Sequence, residues 1–234
     1  LLAMVDAAIG GKVAVDVPAG KNLVGAFHPP LAVVADLDVL ATLPARERAQ
    51  GLAEALKHGV IADAAYWAAV TAALPWPADA AALERLVRGS ACIKAAVVAR
   101  DPLERGERAI LNFGHTIAHA IERVVAFDMA HGDAVAMGMV VEADVATRLG
   151  LCDGTVSAAL HDALPRAGLP TTVPASLDVE AILAATAGDK KRAGGTVRWA
   201  LPAALGRMAR DADGRWGHAV PDDVARAALL AARA

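Results

Sequence analysis

Residues 108–119 read Arg108-Ala-Ile-Leu-Asn112-Phe-Gly-His115-Thr-Ile-Ala-His119, and this stretch decides the fold prediction. His115 and His119 are four positions apart, so on a helix their side chains share one face. Arg108 and Asn112 have the same spacing, which predicts one helical stripe carrying a cation, an amide and two imidazoles. A helix exposed only to water does not need this combination. The stretch therefore predicts a helical domain that binds a metal ion and an anionic, hydroxylated ligand.

A third histidine, His131, is followed by glycine and adds a further metal-ligand candidate. Catalytic metal sites commonly use three protein ligands and leave one position open. The best carboxylate candidate is Glu54, which lies in an otherwise apolar helical stretch with Lys57 three residues later. A histidine pair at helical spacing is also typical of structural pairs, and Glu54 with Lys57 is equally compatible with an ordinary ion pair within one helix. The residues alone leave both interpretations open.

Several lysines lie in settings that suit an anion. Lys12 follows two glycines and Lys21 follows Pro-Ala-Gly, and glycine-rich turns expose backbone N–H groups that bind phosphate. Lys94 lies in an apolar helical run, where an unpaired buried ammonium is costly unless its side chain extends to solvent. Residues 189–192 are typical of a solvated charge run. The other histidines show no partner pattern and are interpreted as structural or surface residues: His28, His58, His161 and His218.

Composition restricts the class of protein. The chain has 234 residues, an apolar fraction of 56% and a net charge of −3. No uninterrupted apolar stretch reaches the roughly 18 residues of a membrane span. The net charge and an aromatic content of 3% do not favour nucleic-acid binding. Two cysteines are too few for a disulfide framework, and a cytoplasmic location is predicted.

The predicted fold class is mainly α with a few short strands. Glycines and prolines punctuate residues 1–44, where residues 31–35 are the clearest β-prone piece. Helices are predicted from residue 45 to about 61, from 80 to about 99 after the N-cap Asp79, over the histidine stretch, from His131 to about 149, and from 222 onward. A hairpin is predicted from residues 196–201 and 206–210.

Five segments together resemble the 3-dehydroquinate synthase family. They occur in the family's order and spacing: Met4-Val-Asp6-Ala-Ala-Ile-Gly-Gly-Lys12, Gly20-Lys21-Asn22-Leu-Val-Gly-Ala-Phe27, Gly51-Leu-Ala-Glu54-Ala-Leu-Lys57, residues 108–119, and Asp189-Lys190-Lys191. The resemblance covers nearly the whole chain. It implies the metal-carrying helical C-terminal domain of a two-domain α/β + α enzyme. Residues 1–44 would then be the tail of the NAD-binding domain and the domain junction, and residues 45–234 the metal- and substrate-binding domain.

The resemblance also implies roles for individual residues. Three would bind zinc, or cobalt in its place: Glu54, His115 and His131. His119 would face the substrate as a proton-handling or hydrogen-bonding group. The substrate's carboxylate and phosphate would be bound by Lys57, Lys94, Arg108, Asn112 and one of Lys190 and Lys191, and the pocket would be completed by Asp6, Lys12 and Asn22. The NAD contacts would be Lys12, Lys21, Val39, Leu40, Ala41 and Thr42.

The implied reaction converts 3-deoxy-D-arabino-heptulosonate 7-phosphate into 3-dehydroquinate and phosphate, a step of the shikimate pathway to aromatic amino acids. It uses transient oxidation by NAD, phosphate elimination, reduction and an aldol ring closure. The oligomeric state typical of the family implies a homodimer. The chain begins without an initiator methionine, so we expect the C-terminal part of a longer polypeptide that is inactive alone. Three residues depart from the family pattern, and none of them is an implied metal ligand: Val13, Ala118 and Asp133.

Three alternatives stay open. Another sugar-phosphate cyclase would share the metal site, and an amino-substituted dehydroquinate-type substrate would not be distinguished by these residues. A metal-dependent alcohol dehydrogenase would not need a set of phosphate-binding lysines. A non-catalytic helical interaction module would leave the ordered polar motifs unexplained.

Overall fold

The computed structural model describes residues 1–17, 20–193 and 197–233, without the side chains of residues 16, 20–23 and 187–193. Its helices are α1 (Ala45–Ala62), α2 (Ala64–Ala72), α3 (Ala80–Arg100), α4 (His115–Val124), α5 (His131–Arg148), α6 (Thr155–Arg166), α7 (Val179–Ala193) and α8 (Asp222–Ala231). Its strands form two antiparallel hairpins, β1 (Lys12–Val17) with β2 (Gly20–Phe27), and β3 (Pro202–Ala204) with β4 (Arg207–Met208). Shorter helical turns are Ala3–Ala7, Leu37–Thr42 and Glu107–Asn112. The prediction of a mainly α fold with few short strands is confirmed.

Local signals set most helix ends. The Asp79 side chain accepts a hydrogen bond of 2.7 Å from the backbone N–H of Ala82 and caps α3, as its position predicts. Gly150, with φ +70°, follows the end of α5. Glycine adopts this left-handed conformation without strain and therefore commonly terminates a helix. The predicted helices from residues 45, 80, 131 and 222 are confirmed to within two residues.

The prediction of one continuous helical stripe over residues 108–119 is wrong. Arg108 and Asn112 lie on the separate 3-10 helix Glu107–Asn112, and α4 begins only at His115. Phe113 has ψ 129° and Gly114 has φ +80°, so the chain leaves the helical conformation between the two turns. The four side chains therefore do not share one helical face.

In the β-prone segments, the prediction of a strand at residues 31–35 is wrong, and the predicted C-terminal hairpin forms with its first strand shifted along the chain. Residues 31–35 pair with no strand within the described part of the chain, and Leu31 and Val34 are exposed. An isolated strand leaves its backbone N–H and C=O groups without partners, so apolar composition alone does not produce one. The C-terminal hairpin pairs residues 202–204 with 207–208, while Trp199 exchanges backbone hydrogen bonds of 2.9 Å with His218. Residue 196 lies outside the described residues.

Helix α5 lies at the centre of the molecule and contacts α1, α4, α6 and α8. Its length is almost wholly buried, and it joins the two hydrophobic clusters of the core. The crossing with α4 is close: a Cβ added to Gly138 would lie 1.9 Å from the carbonyl oxygen of Gly114. This packing brings the starts of α4 and α5 to the buried face of α1. Within the described residues, no helix has the length and apolar character needed to cross a membrane.

Candidate metal and substrate site

Three potential metal donors converge from three helices. Glu54 lies on α1, His115 is the first residue of α4, and His131 is the first residue of α5. The Oε1 atom of Glu54 is 3.3 Å from Nε2 of each histidine, and one donor atom from each residue lies within 4.8 Å of the others. Glu54 is fully buried. One carboxylate and two imidazoles are the donor chemistry that suits zinc or cobalt, so the residues present fit such an ion.

Both histidines are held at their second ring nitrogen. Nδ1 of His131 lies 3.1 Å from Oε1 of the buried Glu122, and Nδ1 of His115 lies 3.1 Å from the carbonyl oxygen of Phe113. A proton on Nδ1 that is donated to these oxygens leaves the Nε2 lone pairs facing Glu54. This carboxylate- or carbonyl-supported imidazole is the usual environment of a metal-binding histidine.

The charges around His131 favour a cation. Burial lowers the pKa of His131, but the hydrogen bonds to Glu122 and Glu54 outweigh it and raise the pKa to about 9. Burial also disfavours ionised Glu54, yet the charges of Lys57 and His115 hold the pKa of that carboxyl well below its usual range. The centre therefore carries an ionised carboxylate and attracts positive charge.

The structure places His119 next to the three donors but outside their group. Its ring centroid lies 5.3 Å from that of His115 in an edge-to-face arrangement. Burial, and after it the charge of His115, lowers the pKa of His119 to about 4. The imidazole is thus neutral at pH 7 and keeps one ring nitrogen unprotonated, so it can accept a hydrogen bond from a ligand.

A buried ion-pair cluster adjoins the donors. Lys57 Nζ lies 2.5 Å from Glu54 Oε2, so the ion pair and the donor group share one carboxylate. Lys94 does not extend to solvent: its Nζ lies 2.9 Å from Oδ1 of Asp6 and donates to the Asp6 carbonyl oxygen at 2.6 Å. Burial and the charge of Glu54 raise the pKa of Asp6, but Lys57, His58 and Lys94 together lower it below its ordinary value.

His58, interpreted from sequence as structural or surface, lies inside this cluster. It is fully buried, its Nδ1 is 2.6 Å from Oγ of Ser90, and its Nε2 is 3.5 Å from Oδ1 of Asp6. Asp6, Glu54 and His58 are also close enough to hold an ion. Glu54 belongs to both groups of donors, and in this second group Lys57 pairs with Glu54 and Lys94 pairs with Asp6.

Arg108 lines a cleft of about 560 Å³ between the β1–β2 hairpin and α3. The buried Arg108 donates hydrogen bonds of 2.8 Å to the carbonyl oxygens of Pro102 and Gly10. Asn112 Nδ2 donates to Glu104 Oε1 at 3.0 Å, and the other oxygen of Glu104 forms an ion pair with Lys12. The cleft lining includes Asp6, Lys12, Lys94 and Arg108.

Sequence reasoning missed two acidic residues here. Glu104 lies in a run of charged residues between α3 and Arg108. Glu122 follows His115 by seven residues, two helical turns, and that spacing could have placed it on the same face. Neither residue belongs to an obvious motif by itself.

Some predicted site residues are not brought to the cleft by the described structure. Val39–Thr42 lie on the 3-10 helix Leu37–Thr42, where Leu40 is buried in the core and its neighbours Val39, Ala41 and Thr42 are exposed. The side chains of four other candidates lie outside the described residues: Lys21, Asn22, Lys190 and Lys191.

The sequence of the chain is similar to that of known proteins. The family described as "3-dehydroquinate synthase C-terminal" matches residues 51–192, and "3-dehydroquinate synthase N-terminal" matches residues 1–50. A 3-dehydroquinate synthase of Xanthomonas campestris pv. campestris (strain 8004) is 47% identical over 215 residues, covering 88% of this chain and 58% of the relative. One from Symbiobacterium thermophilum is 45% identical over 225 residues, covering 93% of this chain and 63% of the relative. The chain thus spans about three fifths of the length of these relatives.

Solved structures show the same architecture. The 2-epi-5-epi-valiolone synthase of Streptomyces hygroscopicus subsp. jinggangensis 5008, solved with NAD+ and Zn2+ bound, superposes with a TM-score of 0.86 at 24% identity, covering 98% of this chain and 63% of that chain. A 2-deoxy-scyllo-inosose synthase complexed with carbaglucose-6-phosphate, NAD+ and Co2+ has a TM-score of 0.85 at 27% identity, covering 99% of this chain and 64% of that chain. The match of the family described as "3-dehydroquinate synthase C-terminal" over residues 51–192 shows that the chain belongs to the 3-dehydroquinate synthase family.

Proposed function

We propose that this chain is the metal- and substrate-binding part of a 3-dehydroquinate synthase, a phosphate-eliminating lyase that depends on NAD and a divalent metal. The observation that carries the proposal is the convergence of Glu54, His115 and His131 beside the buried lysines Lys57 and Lys94. The sequence identity of 45–48% to curated 3-dehydroquinate synthases supports this reaction over that of the related cyclases. In this proposal residues 1–44 end the NAD-binding domain and residues 45–234 form the second domain.

Glu54, His115 and His131 would hold zinc or cobalt. A bound divalent ion supplies Lewis-acid polarisation of the substrate oxygens it contacts and stabilises negative charge on them. Glu122 would hold His131 with Nε2 free to bind. Because the donors come from three different helices, the packing of α1, α4 and α5 sets the geometry of the ion.

The cationic residues would position the substrate's two acidic groups. Lys57 and Lys94 each offer an ammonium with three N–H donors, of which the neighbouring carboxylates use only part. Arg108 is fixed by the carbonyl oxygens of Pro102 and Gly10, and its planar guanidinium suits a carboxylate. Asn112, oriented by Glu104, would hydrogen-bond a substrate hydroxyl. Persistent positioning of this kind is what a multistep reaction in one pocket requires.

His119 would handle a proton during elimination. NAD, when bound, would supply reversible hydride transfer at a substrate hydroxyl, and the greater acidity of the neighbouring C–H bond would favour loss of phosphate. The lowered pKa of His119 keeps its imidazole neutral, so its unprotonated ring nitrogen would accept a hydrogen bond from the substrate group that loses the proton. NAD contacts from Lys12, Lys21 and residues 39–42, and substrate contacts from Asn22 and Lys190, belong to the same proposal.

The alternative is another sugar-phosphate cyclase, the class to which the solved structural neighbours belong. It would share the metal site and close a different ring. The identity to those neighbours, 24–27%, is well below the 45–48% to 3-dehydroquinate synthases. Homodimer formation and a cytoplasmic location are further predictions.

The test is phosphate release from 3-deoxy-D-arabino-heptulosonate 7-phosphate with NAD and Zn2+. The chain is joined to the N-terminal segment of the Xanthomonas relative, and the 234-residue chain is assayed in parallel. We expect release from the completed protein, none from the chain alone, loss in His131→Ala, and retention in His161→Ala, which alters an exposed histidine of α6. Binding of zinc and NAD without phosphate release would reject the substrate and favour a sister cyclase.

A further inference from the structure

Glu142 is a fully buried carboxyl group in the middle of α5, and none of the roles above uses it. Its two oxygens accept backbone hydrogen bonds from the start of α4. The N–H of Gly114 donates to Oε2 at 2.7 Å, and the N–H of Ile117 donates to Oε1 at 3.2 Å. Glu142 therefore contacts the turn in which His115 is the first residue.

The first N–H groups of any helix have no partner within that helix. A serine, threonine, asparagine or aspartate before the helix commonly accepts from them, but α4 is preceded by Gly114, which has no side chain. Glu142 supplies the missing acceptors from a different helix. The first turn of α4 is thereby tied to α5 rather than capped locally.

The same two helices meet at their closest point beside this contact. Gly138, one helical turn before Glu142, lies against the carbonyl oxygen of Gly114, where even a Cβ atom would not fit. Glycine sets how close the helices approach, and Glu142 sets the orientation of the α4 turn. Helix α5 begins with His131, one of the candidate metal donors. Through Glu142 the same helix also fixes the backbone beside His115, a second candidate donor.

Burying this carboxyl group is costly. Glu142 is fully buried, so each of its oxygens needs a hydrogen-bond partner, and the backbone N–H groups of Gly114 and Ile117 supply them. The buried residues of α5 next to it are apolar, and a leucine would fill such a core position without that cost. We therefore expect the two acceptor oxygens of Glu142 to have a role beyond filling space in the core.

Alignment of the candidate metal ligands would be such a role. Metal–nitrogen distances in zinc sites are about 2.0–2.1 Å and tolerate only a few tenths of an ångström. The candidate donors His115 and His131 are first residues of their helices, so a small rotation of the α4 turn moves one relative to the other. We propose that Glu142 is a positioning residue for the metal site, holding His115 in register with His131. This inference rests on the proposed metal site.

The test compares Glu142→Gln with wild type in the 234-residue chain, using Co2+ alone as the probe. Glutamine keeps the shape but replaces one acceptor oxygen with an N–H donor that faces a backbone N–H. We expect Co2+ to bind roughly 10–100-fold more weakly, the range seen for residues that orient metal ligands. We also expect a changed visible spectrum of the bound Co2+. The matched control is Leu160→Ala, a fully buried change on α6 outside the site.

The control separates positioning from stability. Leu160→Ala should lower the Tm and leave Co2+ affinity and spectrum as in wild type. If Glu142→Gln lowers the Tm in the same way but binds Co2+ with wild-type affinity and spectrum, Glu142 is only structural and the inference is wrong. If the wild-type chain binds Co2+ no more tightly than His131→Ala does, the proposed metal site is wrong, and this inference is wrong as well.

Discussion

Gln50 and Asp133 exchange two hydrogen bonds between α1 and α5. The Gln50 side-chain Nε2 donates to Asp133 Oδ1 at 2.9 Å, and the Asp133 backbone N–H donates to Gln50 Oε1 at 3.1 Å. Gln50 lies one helical turn before Glu54, and Asp133 lies two residues after His131. The pair therefore fixes the helix that carries the candidate carboxylate donor against the helix that carries a candidate imidazole donor.

Gln50→Ala removes both side-chain bonds of this pair. We expect the free energy of unfolding to fall by about 1–3 kcal/mol, because two hydrogen bonds, each contributing about 0.5–1.5 kcal/mol, are lost. Co2+ affinity should fall several-fold as Glu54 and His131 lose their fixed separation. Thermal unfolding and Co2+ titration measure the two effects.

The control for Gln50→Ala is Asp144→Ala, which breaks the exposed Asp144–Arg148 pair on α5 and should change neither quantity measurably. Wild-type metal affinity in Gln50→Ala would show that the pair does not position the donors.

Glu122→Ala tests the support of His131. Without the carboxylate at Nδ1, the ring loses its fixed tautomer and orientation, so zinc affinity should drop roughly 10–100-fold. Competition with a chromogenic chelator measures it. Glu180→Ala, which removes an exposed partner of Arg226, serves as the control. Equal zinc affinity in the two variants would contradict a supporting role.

Glu104→Ala releases the Asn112 amide and the Lys12 ammonium from their shared partner. In the completed protein we expect kcat/KM for phosphate release to fall by roughly tenfold or more, because misplaced substrate contacts are costly even far from the reacting bond. Zinc affinity should be unchanged, since Glu104 does not contact the donor group. A loss of zinc together with activity would place Glu104 in the metal centre instead.

Gly138→Ala should destabilise the fold strongly. The added methyl group would meet the carbonyl oxygen of Gly114 at 1.9 Å, and neither backbone can move without separating α4 from α5. Overpacking of a core typically costs about 1–3 kcal/mol. Urea denaturation measures the change, and a variant as stable as wild type would show that the helices do not cross this closely.

Tyr66 provides a pH-dependent prediction. It is the only tyrosine in the sequence, it is buried, and its hydroxyl donates to the Leu86 carbonyl oxygen at 2.7 Å. Burial raises the pKa of Tyr66 above its ordinary value of 10. A folded-state pKa above the unfolded one contributes stability that is complete below pH 10 and is lost as pH rises towards the folded pKa.

Wild-type stability should therefore fall more steeply above pH 10 than that of Tyr66→Phe. The ultraviolet absorbance of tyrosinate should rise only as the protein unfolds. Absorbance that rises at pH 10 while circular dichroism stays native would mean that Tyr66 is accessible to solvent and the prediction is wrong.

The fold class and the starts and ends of several helices could be predicted from the sequence, while the three candidate donors were implied by its resemblance to the family. The helix ends depend on information within a few residues, such as the N-cap at Asp79 and the glycine that ends α5. The helical period and the unpaired N–H groups at helix starts are local properties, so a short stretch of sequence is enough to predict them.

Only the tertiary structure decided which residues support the donors. Glu122, Glu142 and Gln50 act through partners that are 9, 25–28 and 83 positions away along the chain. The contacts of Gln50 and Glu142 depend on how closely helices cross, which is set by side-chain volume at sites such as Gly138 rather than by local periodicity. The break at Gly114 was missed because a single glycine within a helical pattern is often tolerated, and the contact of Glu142 with this turn comes from another helix.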